Sequence, residues 1–353
     1  MQMTLQCPHC KHIKSYEGTP GTRIVVTCSS CGQQGRITFP PLQYKAGENA
    51  IEVASLTKRY GDLVAVNGIT FSVSQGEIFA FLGPNGAGKT TTVEMIESIR
   101  KPTKGQIKIL GKDIETSFNE VKHRIGILPQ EFKSFERLTV HETLDYFSKL
   151  YEKRADINEI LKAMDLVGHK NKLYGNLSGG LKQRVGVAVS LVNDPDIVFL
   201  DEPTTGLDPK ARREVWQVIA DLRKKGKTVF LTTHYMEEAE FLADHIAIIH
   251  QGNIIAEGNL EELIQRHGKG NILRIKGCNN KETVDILQKN GYEVQSEGNG
   301  NLAITIEYKE RVLEVLSQLR HECIDYDSID IRRSNLEEVF LRLTGSRLSE
   351  AES

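Results

Sequence analysis

Three groupings of residues in this chain have the types and spacing to do chemistry. The first is Gly83-Pro84-Asn85-Gly86-Ala87-Gly88-Lys89-Thr90-Thr91, the pattern of a loop that wraps phosphates. Its glycines let successive backbone N–H groups turn toward an anion, and a helix opening at its end adds a favourable dipole. Lys89 is expected to reach the β- and γ-phosphates, and the Thr90 hydroxyl to ligate magnesium. The second grouping is Asp201-Glu202, at the end of the apolar run Ile197–Leu200. Alone, such a pair reads as solvated carboxylates. Beside a phosphate loop, Asp201 suits a magnesium shell, and Glu202 suits orienting or activating water. The third is Cys7-Pro-His-Cys10 and Cys28-Ser-Ser-Cys31, separated by seventeen residues, which is the spacing of a tetrahedral zinc site. Two intervening residues let both thiolates of a pair face one ion. Disulfides are the other reading, and a reducing compartment argues against them. His9 and His12 are read as solvated rivals to the thiolates, and Cys278 and Cys323 as isolated thiols.

These groups need elements to position them. The apolar run Ile78–Leu82 precedes the phosphate loop, and an amphipathic pattern from Thr90 to Ile99 follows it. Further strand-like runs are Ile51–Leu56, Ile197–Leu200, Thr228–Thr232 and Ile246–Ile249, with helical patterns between several of them. That alternation predicts an α/β fold with a mainly parallel sheet covered on both faces. A helix-rich insert runs from about Glu131 to Asn176. Within it, Thr139-Val-His-Glu142 is a capping box ahead of Leu144, Phe147 and Tyr151, and a helix starting at Asp156 is expected to end at Gly168. The insert leads directly to Leu177-Ser-Gly-Gly180. Around the cysteines, Arg23–Thr27 and Arg36–Phe39 have strand character, which suggests a zinc ribbon folded largely by its metal. Pro40-Pro41 and Lys45–Asn49 read as a linker. After about Gly268 the elements run β-α-β-β-α-β, which suggests a small ferredoxin-like domain. Ser334-Asn-Leu-Glu337 then caps a terminal helix with Leu336, Phe340 and Leu343 on one face.

Composition narrows the partners. A chain of 353 residues has room for two or three domains, and its net charge of −2 carries no basic stripe, so nucleic acid is not an expected partner. No apolar run approaches the roughly 20 residues that span a bilayer. The N-terminus lacks the layout of a signal peptide. A soluble chain in a reducing compartment is expected, with any membrane work done through a partner.

From about Ile51 to Ile264 the chain resembles the ATP-binding-cassette family. Leu177-Ser-Gly-Gly-Leu-Lys-Gln-Arg184 resembles the family signature, with Leu181 where glutamine is commoner. The resemblance implies that Ser178, Gly179 and Gly180 cap the γ-phosphate of ATP bound by the opposite subunit of a dimer. It implies that Tyr60, in Lys58-Arg-Tyr-Gly61, stacks on adenine, and that Gln130, after Gly126-Ile-Leu-Pro129, touches magnesium and water at the hinge to a helical lobe. Asp208, in Thr205-Gly-Leu-Asp208, would belong to a loop that meets its counterpart across the dimer, and His234 would sense the γ-phosphate. The implied architecture is a P-loop NTPase cassette over 46–268 with its helical lobe at about 131–190. A zinc ribbon and linker over 1–45 precede it; a regulatory-type α+β domain over 269–345 and a tail over 346–353 follow.

The implied function is the ATP-binding and ATP-hydrolysing subunit of an ABC transporter, using Mg²⁺. It would act as a homodimer or with a related ATPase subunit, peripheral on the cytoplasmic side of the membrane through a separately encoded permease. The ending Asn335-Leu-Glu-Glu-Val-Phe-Leu-Arg-Leu-Thr-Gly345 resembles bacterial exporter ATPases of the daunorubicin-resistance type, which favours export. The alternative class is a translation- or nucleic-acid-associated ATPase of the same family that binds through the ribbon. Such proteins usually carry a second cassette or a long coiled coil, and this sequence shows one phosphate loop and a short insert.

Overall fold

A computed structural model describes residues 2–6, 9–10, 13–17, 23–38, 48–268, 271–278, 281–298, 301–306, 310–322 and 324–345. Cys7, Cys323, His12 and the Pro40-Pro41 linker lie outside the described residues. The chain packs as two compact units, each assembled from separate stretches. The first takes Met1–Lys58, Gly68–Phe79 and Thr92–Thr232; the second takes Arg59–Asn67, Ala80–Thr91 and Thr233–Ser353.

In the first unit, strands Ile125–Leu128, Ile197–Asp201 and Thr228–Thr233 run parallel, with Leu128 opposite Leu200 and Asp201 opposite Thr232. The two later strands are buried along their whole length, as parallel strands covered on both faces must be. An aromatic layer lies against them. Phe79 stacks on Phe71 and Phe230, with ring centroids 5.4 and 5.3 Å apart, and Phe230 meets Phe199 at 5.8 Å. A second sheet pairs Asn49–Tyr60 antiparallel with Lys104–Ile109.

Helix Val140–Ser148 opens with the expected capping box between Thr139 and Glu142. Helix Ile157–Ala163 is shorter than expected. Asp165 turns into the left-handed region (φ 52°), and the 3-10 turn Val167–His169 follows, so Gly168 does not end the α-helix. Helix Gly179–Val189 presses onto strand Ile125–Leu128: a Cβ on Gly126 would sit 1.8 Å from the Ser190 carbonyl oxygen. Two antiparallel hairpins, Gln2–Gln6 with Ile13–Glu17 and Arg23–Thr27 with Gln34–Thr38, complete this unit.

In the second unit, His245–His250 pairs antiparallel with Asn253–Gly258. Strands Asn271–Lys276, Glu293–Gly298, Asn301–Ile306 and Ser328–Arg333 form a sheet with helices Lys281–Lys289 and Glu310–His321 between them in the chain. The sheet order is Glu293–Gly298, Asn301–Ile306, Asn271–Lys276, Ser328–Arg333, and every neighbouring pair is antiparallel. Leu273, Ile275, Leu302, Ile304, Val315 and Leu319 form its apolar core.

The terminal helix Leu336–Thr344 leaves this sheet and packs on helices Leu260–His267 and Met236–Leu242, burying Leu336, Val339 and Phe340. Its cap is Asn335, whose side chain accepts the Glu338 N–H, where the sequence pointed to Ser334. Ser334 is instead buried. The Leu336 N–H donates to Glu240 Oε1 (2.7 Å), and Arg342 Nη1 donates to the Gly268 carbonyl (3.0 Å), so both ends of the helix are held.

The Gly126–Ser190 approach has a measurable consequence. Gly126→Ala should lower stability by about 3 kcal/mol, since a backbone oxygen cannot move aside for the methyl. Gly168→Ala, whose Cβ would meet nothing within 4 Å, should change it by less than about 0.5 kcal/mol. Denaturant midpoints of the two variants decide it, and equal midpoints would show that the helix yields freely.

Candidate functional site

The phosphate loop belongs to the second unit and is built by close approaches that only glycine permits. The buried strand Ile78–Leu82 delivers the chain to Gly83, whose N–H donates to the Thr233 carbonyl (3.2 Å). A Cβ on Gly83 would lie 2.3 Å from the Ile249 carbonyl oxygen. Gly86 and Gly88 take φ of 77° and 105°, and a Cβ on Gly88 would meet the Ala65 carbonyl oxygen at 2.5 Å. Helix Lys89–Ile96 opens immediately after. The Lys89 side chain is buried, and its Nζ donates to the carbonyls of Gly83 (2.7 Å) and Pro84 (3.1 Å), so the ammonium is anchored over the loop's own start. Pro84 and Ala87 are buried; Asn85, Gly86 and Thr90 are exposed, and Thr91 is half-buried. A loop of this form, with a cation above it and a helix N-terminus beneath, can hold a polyanion. Tyr60, 40% exposed, and His234 lie in the same unit. The His234 ring packs against Tyr235 with centroids 4.0 Å apart, and the Tyr235 N–H donates to Thr233 Oγ1 (2.9 Å).

Gln130, Asp201 and Glu202 belong to the first unit, where they converge. Asp201 ends its strand with its carboxylate buried, and it accepts a short hydrogen bond from the Thr232 hydroxyl on the neighbouring strand. The same hydroxyl accepts the Glu202 N–H (3.0 Å). Glu202 is held at φ 47°, a left-handed conformation that costs a non-glycine residue on the order of 1 kcal/mol. Its Oε2 accepts from Gln130 Nε2 (3.3 Å) and Thr205 Oγ1 (3.1 Å). A carboxylate aimed this way can orient water, and Asp201 with Gln130 offers oxygen ligands to a hard cation. Two residues of this cluster were not picked out from the sequence. One is Thr232. The other is Glu97, whose carboxyl is pushed up to about 8 by burial, with Asp201 and Glu94 adding like charge.

Ser178 and Asp208 each begin a helix in this unit. Ser178 Oγ accepts the Leu181 N–H (3.4 Å) at the start of Gly179–Val189. Asp208 Oδ1 accepts from the Lys210 and Ala211 N–H groups, both at 3.0 Å, at the start of Pro209–Lys224. The two first turns touch: a Cβ on Gly180 would meet the Ala211 Cβ at 2.9 Å, and one on Gly179 would meet Leu207 Cδ2 at 3.4 Å.

The cysteines form a separate cluster. The sulfurs of Cys10, Cys28 and Cys31 all lie within 4.8 Å of one another, and Cys10 and Cys28 are 3.6 Å apart. The turn after Cys28 is fixed by Gly32, at φ 73°, whose N–H donates to the Cys28 carbonyl (2.9 Å). The backbone N–H groups of Cys31 and Ser30 donate to the Cys28 sulfur and lower its thiol to about 6. His9 is exposed. Sulfurs clustered in this way suit a soft or borderline cation such as zinc.

Comparison with known proteins identifies the class. Residues 66–205 match the family model described as ABC transporter. A daunorubicin resistance ATP-binding protein of Streptomyces coeruleorubidus is 38% identical over 314 residues, covering 86% of this chain and 99% of that protein. A Nod factor export ATP-binding protein I of Burkholderia orbicola (strain AU 1054) is 36% identical over 305 residues, covering 85% and 98%. Among solved structures, a dimeric bacterial ABC transporter cassette superposes with a TM-score of 0.53 at 28% identity, covering 59% of this chain and 98% of the cassette. A relative that spans so much of both chains leaves one conclusion: the chain belongs to the ATP-binding proteins of ABC transporters, the ATPases whose hydrolysis is coupled to transport.

Proposed function

We propose that this chain is the ATP-hydrolysing subunit of an exporter, working as a dimer on the cytoplasmic side of the membrane through a separately encoded permease. The observation that carries this is the span of the export and drug-resistance relatives, which match it over nearly their whole length. Loop N–H groups and Lys89 would hold the β- and γ-phosphates, with Tyr60 stacking on adenine. Thr90, Asp201 and Gln130 would hold magnesium, which neutralises charge on the phosphates when bound. Glu202 would orient the attacking water, its Oε2 already fixed by Gln130 and Thr205. His234 would contact the γ-phosphate. Ser178, Gly179 and Gly180 of the other subunit would cap it, with Asp208 at the dimer seam. Closure of the dimer by ATP then drives the permease, because ATP binds the closed state more tightly. Phe135 and Tyr146 are exposed and meet edge-on at 5.2 Å, shortly after Gln130. They offer the permease an aromatic contact.

Two additions accompany the cassette. Residues 269–345 would be a ferredoxin-like regulatory domain; its sheet order supports that reading. Its terminal helix packs on Met236–Leu242, the helix that follows His234, and so offers a route from that domain to the nucleotide. Residues 1–45 would be a zinc ribbon, with Cys7, Cys10, Cys28 and Cys31 as its four thiolate ligands and a structural role for the metal. The clustering of Cys10, Cys28 and Cys31 supports it.

Glu202→Gln should keep ATP binding while lowering steady-state phosphate release by about a hundredfold or more, and it should accumulate a closed, ATP-dependent dimer. Lys89→Ala should weaken ATP binding itself. Wild-type turnover in Glu202→Gln would remove that carboxylate from the reaction. For the ribbon, purified protein should carry about one zinc per chain, as C-x₂-C pairs in a single closed site require. Cys28→Ser with Cys31→Ser should abolish it and leave ATP hydrolysis largely intact. Elemental analysis finding no stoichiometric metal in reduced protein rules the zinc site out.

A further inference from the structure

Arg184 lies in helix Gly179–Val189 with its side chain buried. Its Nη1 donates to Asp165 Oδ2 (3.1 Å) and its Nη2 to Glu214 Oε2 (2.7 Å). The two carboxylates are unequal. The Asp165 side chain is 91% exposed, so water screens that pair, while that of Glu214 is 42% exposed and stands closer. Glu214 lies in helix Pro209–Lys224, the helix that Asp208 caps. The two helices pack on one another, and two of their contacts bear on the angle between them. In their first turns Gly180 lies against Ala211, and one turn further on Arg184 reaches Glu214. One contact alone would let the helices pivot about it. Two contacts fix the angle between them, and hence the relative placement of Ser178 and Asp208 at their N-termini.

We propose that Arg184 is a positioning residue: through Glu214 it locks the Ser178 and Asp208 helices into one rigid block, so that both are presented to the partner subunit's nucleotide together. This rests on the reading that Ser178 acts on ATP held by the other chain. Arg184 touches no nucleotide in this arrangement. Its loss acts on the neighbouring subunit's site and spares the ATP affinity of its own loop. A guanidinium is suited to the task, because its planar fork fixes direction as well as charge, which a lysine ammonium does not.

The test uses the full chain. Arg184→Gln should bind a fluorescent ATP analogue with wild-type affinity as a monomer. Its hydrolysis should fall about fivefold, since Glu214 is 42% exposed and water screens part of the pair. Glu214→Gln should behave alike, Arg184→Lys should fall between, and Asp165→Asn should match wild type. The deciding measurement mixes Arg184→Gln with Lys89→Ala. In the heterodimer one site joins Lys89 of the first chain with Ser178 of the second, whose Arg184 is intact, so hydrolysis should rise above either variant alone. Mixing Ser178→Arg with Lys89→Ala is the control for the shared site.

Recovery in the control without recovery in the Arg184 mixture overturns the proposal, since Arg184 would then be serving its own chain's site or its fold. Failure of both mixtures overturns the two-chain site, and the role of Arg184 with it. Should Arg184→Gln prove unfolded by its melting curve, Glu214→Gln and Arg184→Lys carry the same mixing test.

Discussion

The Thr232 hydroxyl stands between the two carboxylate residues proposed to carry hydrolysis. It donates to Asp201 and accepts the backbone N–H of Glu202. That one group fixes both residues because the parallel register places Asp201 directly opposite Thr232. The Glu202 N–H is shared between that hydroxyl and the Thr232 carbonyl (3.2 Å), and at Glu202 the chain turns into the left-handed region. The turn points the side chain at Gln130 and Thr205. A slip of one residue in this register would put Leu200 opposite Thr232 and leave a buried hydroxyl facing an apolar neighbour.

Three helix N-termini differ in how their first turns are capped and charged. At Lys89 the preceding loop offers N–H groups, and the first helical residue is itself a cation, which favours an anionic ligand. Ser178 is a neutral cap that takes one N–H, that of Leu181, and leaves the positive end of its helix uncompensated by charge. Asp208 brings its own carboxylate to two N–H groups, Lys210 and Ala211, so its helix end is already neutralised. On charge alone, the Lys89 and Ser178 ends favour an anion and the Asp208 end does not.

Local features were legible in the sequence. The loop Gly83–Thr91, the Thr139 capping box, the strand-end position of Asp201 and the β-α-β-β-α-β order of the last domain all depend on neighbours a few residues apart, and spacing reveals them. Features that depend on register or packing were not legible. Thr232 becomes informative only once Asp201 is known to lie opposite it. Glu97 reads as another exposed helical acid after Glu94, yet it is buried beside Asp201. Arg184 was visible as part of a signature, but its partners lie 19 and 30 residues away. The misplaced cap at Ser334 and the misplaced helix end at Gly168 have a similar origin. Each choice, between neighbours at the cap and between residues three apart at the helix end, was settled by backbone geometry at Asn335 and Asp165 that composition does not encode.

The cysteine segment has a different balance of forces. Gln2–Glu17 and Arg23–Thr38 are each only a two-stranded hairpin, and an isolated hairpin is marginal in water. The cassette, by contrast, buries whole strands and an aromatic layer. What the second hairpin does have is a turn that commits the Ser30 and Cys31 N–H groups to the Cys28 sulfur and the Gly32 N–H to the Cys28 carbonyl. Donors spent on a thiolate stabilise negative charge. Three sulfurs held this close, in a segment of two-stranded hairpins, are what the proposed metal would tie together.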